Sequence, residues 1–357
     1  MVQTENYLGP ARLPAAFARA GVACGALTFS GSHLLTTRHL AWHALWDGTG
    51  DRFSIAPPAL MRAVEVWQPE LIMPLDDRAL HWLQLAAATD PPLACATQLG
   101  TALGDPTTYA WRIAKGPCRA AAASLGVRLP AGAAVENLPR ALALAEQLTW
   151  PVVLKANLGT AGHGVAICRD ADALRAAWPR IGNHPSGASL EQAIPGVPAM
   201  MVVAVWDGTV LAGMAARKER CSLDGIGPSS VIRFIEHADM AEVARRLCAR
   251  FAGRGLISFD FILDADGRAW FLECNHRPVP IHHLGHLAAQ DPVAALAAAL
   301  RGAPQPAPGT ACTMPISLFP QERLRDPSSQ FLFPPAIEDV PVEDPGLLDR
   351  YRQLLAR

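Results

Sequence analysis

The sequence predicts an α/β protein in two parts, a helix-covered parallel sheet at the start and a strand-rich α+β region after it. Three observations carry this expectation. Helical and strand patterns alternate over the first hundred residues. A strand ending in a lysine runs into a Gly-rich loop over residues 152–165, and two carboxylates sit on the two arms of a hairpin over residues 259–278. The chain has 357 residues, half of them hydrophobic, which is enough for more than one compact core.

The elements follow in order. Leu13, Phe17 and Ala20 recur at helical spacing and stop at Gly21, and residues 22–29 read as a short buried strand. An amphipathic helix is expected over 58–67, a four-residue strand over 71–74 and a helix over 77–88. Such alternation implies parallel strands with both faces covered. A clear apolar strand ahead of Arg12 is missing, because Gln3, Thr4, Glu5 and Asn6 dilute residues 2–8. The start therefore reads as truncated or as an edge strand. Turn chemistry at Asp90-Pro91-Pro92 and Gly104-Asp105-Pro106 places a first boundary near residue 105.

A helix over 109–125 should end at Gly126, followed by a helix over 138–148 and a strand over 151–156. Residues 189–261 are strand-rich, with turns at Asp207-Gly208 and Asp224-Gly225 and one helix over 240–251. From residue 301 the prolines at 304, 306, 308, 315 and 320 suggest an extension that wraps rather than a domain with its own core.

Charge excludes some functions. The 31 Lys and Arg nearly cancel the 32 Asp and Glu, so the basic excess that counterion release on nucleic acid demands is absent. No run of 18 or more apolar residues exists to span a membrane. Glu5, Arg12 and Arg19 interrupt any signal-peptide pattern, so the expected location is the cytoplasm. The eight cysteines form no C-x-x-C pair and read as small buried groups in a reducing compartment.

Three clusters carry chemistry. In the first, Lys155 ends a strand and Gly159, Gly162 and Gly164 follow. Glycines let backbone N–H groups turn toward an anion, and a lysine adds a point charge for phosphate. The loop matches neither a Walker A motif nor a dinucleotide fingerprint, and a plain tight hairpin remains an alternative. In the second, a turn at 264–267 joins two arms bearing Asp260 and Glu273, with Asn275 two residues further on. Antiparallel pairing brings the carboxylates together and period two adds Asn275, a hard-oxygen set suited to Mg²⁺. The alternative is a two-sided hairpin with these groups in solvent. The third cluster, Glu191-Gln192-Ala193-Ile194-Pro195-Gly196, means little alone.

In this order the three clusters resemble the ATP-grasp superfamily, which includes D-alanine–D-alanine ligase, biotin carboxylase and carbamoyl-phosphate synthetase. The resemblance covers residues 106–300, and its most specific part is the spacing of 13 from Asp260 to Glu273 with Asn275 after it. It implies a pre-ATP-grasp domain over 1–105, two α+β subdomains clamping the nucleotide over 106–300 with a lid at about 127–188, and an extension over 301–357. It implies Lys115 and Lys155 on the α/β-phosphates, Gly162, His163 and Gly164 in the phosphate loop, and Glu191, Gln192 and Ile194 at adenine. It further implies Asp260, Glu273 and Asn275 on one or two Mg²⁺, with Mn²⁺ able to substitute, and Arg277, with Lys155, at the reacting acyl phosphate. The implied activity is ATP-dependent ligation of a small carboxylate to an amine, or to a thiol, with no nucleic-acid or membrane partner and compatibly with a homodimer. A small-molecule kinase and an ATP-binding module without ligase activity are the alternatives.

The chain also departs from the family. Pro198 stands where many relatives carry an acidic ribose ligand, leaving that contact to another residue such as Glu191. Ala161 replaces a frequent glycine. His282, His283 and His286 lack H-E-x-x-H order; the readings are a transition-metal site or one histidine lining the acceptor pocket. Arg217-Lys218 reads either as a phosphate contact or as part of a solvated charge cluster.

Overall fold

The computed structural model describes residues 1–46, 57–89, 92–159, 162, 164–223 and 226–356. Asp90, Pro91, His163 and the Asp224-Gly225 turn lie outside the described residues. The chain begins with α1 (Leu13–Arg19), β1 (Cys24–Thr28), β2 (Leu40–Leu45), α2 (Pro57–Trp67), α3 (Asp77–Ala87) and α4 (Ala96–Leu103). β1 and β2 pair in parallel, and Val2 bridges in parallel to both Leu27 and Pro74. The strand missing from the sequence pattern is thus one residue lying between two partners, not an edge. Its polar successors leave the ladder for Asp76, the N-cap of α3, which accepts from Thr4 N at 2.7 Å, Thr4 Oγ1 at 2.6 Å and Glu5 N at 3.0 Å. Residues 71–74 form no strand beyond that bridge, since Pro74 has no N–H to extend a ladder. α4 occupies the stretch expected as linker and buries Leu99, Ala102 and Leu103.

Gly104 ends α4 at φ 67° and ψ −144°, and a Cβ there would overlap the Phe251 carbonyl oxygen. Gly104→Ala is therefore expected to lower stability by about 2–3 kcal/mol, from strained backbone plus overpacking, read as a lower midpoint in urea unfolding. An unchanged midpoint would contradict this contact.

Two helices, α5 (Tyr109–Ile113) and α6 (Lys115–Ser124), replace the single one expected over 109–125. Ala114 between them is extended, at φ −116° and ψ 131°. The break is stabilised by Asn157, whose carbonyl accepts from Lys115 N at 2.9 Å and whose Oδ1 accepts from Gly116 N at 2.6 Å. Orphan N–H groups of α6 are satisfied this way, and Lys115 becomes its first residue.

Next come β3 (Gly132–Val135), α7 (Leu138–Leu148), β4 (Val152–Ala156), β5 (Val165–Cys168), α8 (Ala171–Ile181) and β6 (Ala188–Gln192). The strands form an antiparallel sheet in the order β3-β6-β4-β5, packed through Val152, Leu154 and Leu190 on Ala141, Ala145 and Trp178 of the two helices.

The larger body holds β7 (Val197–Trp206), β8 (Thr209–Leu223), β9 (Ile226–Ile235), α9 (Ala238–Phe251), β10 (Gly255–Leu263), β11 (Ala269–Asn275) and α10 (Pro292–Leu300). The last segment adds β12 (Ile316–Leu318), α11 (Gln321–Arg325), β13 (Ile337–Asp339) and α12 (Pro345–Leu355). One seven-stranded sheet runs β11-β10-β7-β8-β9-β12-β13. Alternation along β7 sends Val203 and Val205 to a core with α9, and Ala204 to a core shared with α1 and α10. Residues after 301 therefore complete the sheet edge, and Leu347 and Tyr351 of α12 pack on Ala11 and Phe319.

Candidate active site

The β10–β11 hairpin places Asp260 directly opposite Glu273. Phe259, Phe261 and Phe271 are buried on its other face against α9. Strict period two would put Phe271 on the same face as Glu273. A register shift after Asp260 pairs Phe261 with Phe271 and leaves Leu272 as the extra residue of a β-bulge. The bulge rephases β11, so Phe271 enters the core while Glu273 and Asn275 face Asp260. Asn275 Nδ2 donates to Asp260 Oδ2 at 3.0 Å, which fixes the third side chain on this face. Asp264 accepts from Asp266 N, Arg268 N and Trp270 Nε1, which is ordinary turn chemistry.

Every carboxylate here meets a cation. Lys115 Nζ lies 2.9 Å from Glu273 Oε2 and also donates to the Gly159 carbonyl at 3.0 Å. Lys218 Nζ stands 2.6 Å from Asp260 Oδ1, a close charge contact. Lys155 Nζ donates to Glu191 Oε2 at 2.7 Å across neighbouring strands β4 and β6, with Arg119 3.6 Å from the other oxygen. Arg277 donates two bonds of 2.8 Å to Asp77 at the start of α3, and one of 3.2 Å to Asn275 Oδ1. Burial alone would raise the Glu273 pKa, but Lys115, Lys155 and Lys218 outweigh it and hold it at about 2. Burial would likewise lower the Lys218 and Lys115 pKa values, yet their carboxylates keep both above the ordinary lysine value.

Among the described residues no three His, Cys, Asp or Glu side chains converge on a metal position. Two carboxylates and an amide oxygen form an incomplete hard-oxygen set, the kind that fits Mg²⁺, an ion that keeps waters and binds through one or two carboxylates plus substrate phosphates. Gly162 adopts φ 82°, and the Gly164 carbonyl accepts from Ala156 N at 2.8 Å as the loop returns to β5. Gln192, the last residue of β6, and Ile194, in the link from β6 to β7 where one sheet passes to the other, are both half-buried.

A cavity of about 400 Å³ lies on the α3 side of the hairpin and takes in Lys115, Glu273, Asn275 and Asp77. Cys118 and Cys274 also face it. Burial pushes the Cys118 thiol up to about 12 and raises Cys274 well above the usual range, so neither supplies a thiolate near neutral pH. The three histidines do not line this cavity. His282 Nδ1 accepts from Val279 N at 3.0 Å, His283 lies 2.5 Å from Asp339, and His286 lies 3.3 Å from Arg19. Among the described residues they form no metal-binding group, so the transition-metal reading finds no support.

Sequence reasoning left two of these residues out of the site. Lys218 reads in sequence as a phosphate contact or a solvated charge; its side chain is only 9 % exposed and sits on Asp260. Asp77 carried no signal beyond its place in the first turn of a helix.

The sequence model described as "Carbamoyl-phosphate synthase L chain, ATP binding domain" matches residues 115–190. D-alanine–D-alanine ligase B of Pseudomonas syringae pv. tomato is 26 % identical over 178 residues, which cover 45 % of this chain and 53 % of that protein. The chain thus spans about half the length of that relative. The biotin carboxylase domain of the Hydrogenobacter thermophilus 2-oxoglutarate carboxylase superposes with a TM-score of 0.65 at 16 % identity, over 88 % of this chain and 72 % of that one. Carboxyaminoimidazole ribonucleotide synthase of Aspergillus clavatus, complexed with ATP, gives a TM-score of 0.65 at 16 % identity over 88 % and 79 %. The fold, the matched segment and these relatives all point to the ATP-grasp superfamily.

Proposed function

We propose that the protein is an ATP- and Mg²⁺-dependent ligase that joins a small carboxylate to an amine through an acyl phosphate, releasing ADP and phosphate. One observation carries this reading: the facing carboxylates Asp260 and Glu273, with Asn275 and Arg277 beside them, each carboxylate against its own lysine. Mg²⁺ held by Asp260, Glu273 and Asn275 would neutralise phosphate charge. Mn²⁺ would serve in its place. Lys115, Lys155 and Lys218 would hold phosphate oxygens, and Gly162 and Gly164 would admit them close to the backbone. Glu191, Gln192 and Ile194 would receive adenine at the link between the sheets.

The protein supplies no nucleophile in this scheme. A substrate carboxylate oxygen attacks the γ-phosphorus, ADP leaves, and an amine then displaces phosphate from the acyl carbon. Arg277, held by Asp77, would steady the reacting carboxyl, and the cations offset charge spreading over the transferring oxygens. The β3–β6 sheet with α7 and α8 would act as a lid over the nucleotide, excluding the water that hydrolyses acyl phosphates. The names of the relatives support the reading, one being a ligase of two D-alanines and another a synthase complexed with ATP.

The test is ADP release with acids and amines, singly and in pairs, with hydroxylamine as trap. Acid-dependent ADP release, increased by an amine and yielding hydroxamate, is expected. ADP with a stable phosphorylated product that hydroxylamine does not capture would indicate a kinase. ATP binding without ADP in any mixture would indicate a binding module.

A further inference from the structure

We propose that the carboxylate substrate carries a large apolar group, of the size of an aromatic or branched side chain, seated between α3 and α5. This rests on the ligase reading above and adds the substrate class. The cavity reaches Glu273 and Asn275 at one end, but its lining does not include Lys155, Glu191 or Gln192. It is therefore a space beside the phosphate end, away from the link between the two sheets.

One side of the lining is apolar, while His81 and His184 are among its polar residues. Trp82 and Leu85 stand three apart on one face of α3, Trp111 and Ile113 come from α5, and Leu158 comes from the loop after β4. Leu85 and Leu158 remain 54 % and 42 % exposed although both line this one concavity. Lone exposed leucines are common, but two of them lining one cavity, beside the buried Trp82 and Trp111, form a surface that an apolar ligand would cover.

The charged groups of the cavity are already matched. Arg78 pairs with Glu5 at 3.1 Å, Asp77 with Arg277, and Lys115 with Glu273. Arg112 is spent on Thr108 Oγ1 at 2.6 Å and the Phe251 carbonyl at 2.9 Å. A second charge on the substrate would find these ion pairs already made and would lie partly against the exposed Leu85 and Leu158, which is costly without a partner. A very small acid would leave those walls wet. An acid with one polar end at the hairpin and an apolar body satisfies both ends of the cavity.

The test uses the full chain with Mg-ATP and hydroxylamine, following hydroxamate and ADP for a matched acid set. Acetate and propionate are the small members; 4-methylpentanoate and 3-phenylpropionate the large apolar ones; succinate and glutarate the doubly charged ones. The large apolar acids should exceed the others in kcat/KM by at least roughly tenfold, the scale of apolar-pocket discrimination. Leu85→Glu, an exposed position whose folding is checked by a thermal melt, should raise KM for those acids about tenfold and shrink their advantage by the same factor. Hydroxamate formed best from small or doubly charged acids, or an unaltered preference in Leu85→Glu, overturns the inference and leaves the ligase reading standing. Hydroxamate from no acid removes both.

Discussion

Glu273→Gln is expected to abolish measurable ADP release, a loss on the order of 10³-fold or about 4 kcal/mol of barrier, while the protein still folds. The amide keeps the size of the side chain but removes one of the two facing carboxylates, and with it half of the negative charge available to a divalent cation beside Asn275. Folding should survive because Lys115 retains the Gly159 carbonyl at 3.0 Å. Two measurements separate the metal role from a mere counter-ion role for Lys115. Mg-ATP should raise the melting temperature of the wild type, as any ligand of the native state does, and fail to do so in the variant. The acid limb of stability should differ as well. A carboxyl held below its ordinary value of 4.5 contributes above that value and loses its contribution as pH falls toward about 2, so the wild type has a loss in this window that the variant lacks. Turnover retained by Glu273→Gln would sink the metal assignment.

What the sequence could and could not disclose follows from the range of each interaction. The approach of Asp260 to Glu273 was legible because a turn with an Asp-Ala-Asp-Gly sequence fixes a local hairpin, and the helix expected over 138–148 forms at those bounds. The bulge at Leu272 was not, since nothing in Phe271-Leu272-Glu273 announces a change of phase; it arises from three phenylalanines seeking α9 while two polar groups seek the opposite face. The break at Ala114 was hidden for a related reason. Its cause is Asn157, more than forty residues away, which takes over the N–H groups of a new helix start. Residues 2–8 looked too polar for a strand because only Val2 pairs, while Thr4 and Glu5 serve Asp76 instead. Partners remote in sequence decide each of these, and local pattern carries no trace of them.

Lys218 is where that reasoning has the most at stake. In sequence it sits in Arg217-Lys218-Glu219-Arg220, which reads equally well as a solvated cluster. The fold divides that run: Arg217 and Arg233 both bind Glu219, at 2.7 and 3.0 Å, whereas Lys218 points to the other face of β8 and reaches across β7 to Asp260 on β10. Lys218→Met keeps the length of the side chain and deletes the charge. Asp260 would then retain only the Asn275 amide, and a buried carboxylate stripped of its cation typically costs about 3–5 kcal/mol. The variant should therefore unfold at lower urea, and its turnover should fall roughly 10²–10³-fold through lost phosphate stabilisation. Mg²⁺ distinguishes the two effects. If Asp260 is a metal ligand, saturating Mg²⁺ supplies the missing positive charge and restores part of the urea midpoint, yet it leaves turnover low because no lysine then meets the phosphate. A variant that regains both stability and turnover with Mg²⁺ would make Lys218 a counter-ion alone. One whose turnover with Mg-ATP does not fall at all would place the phosphate contact on another cation.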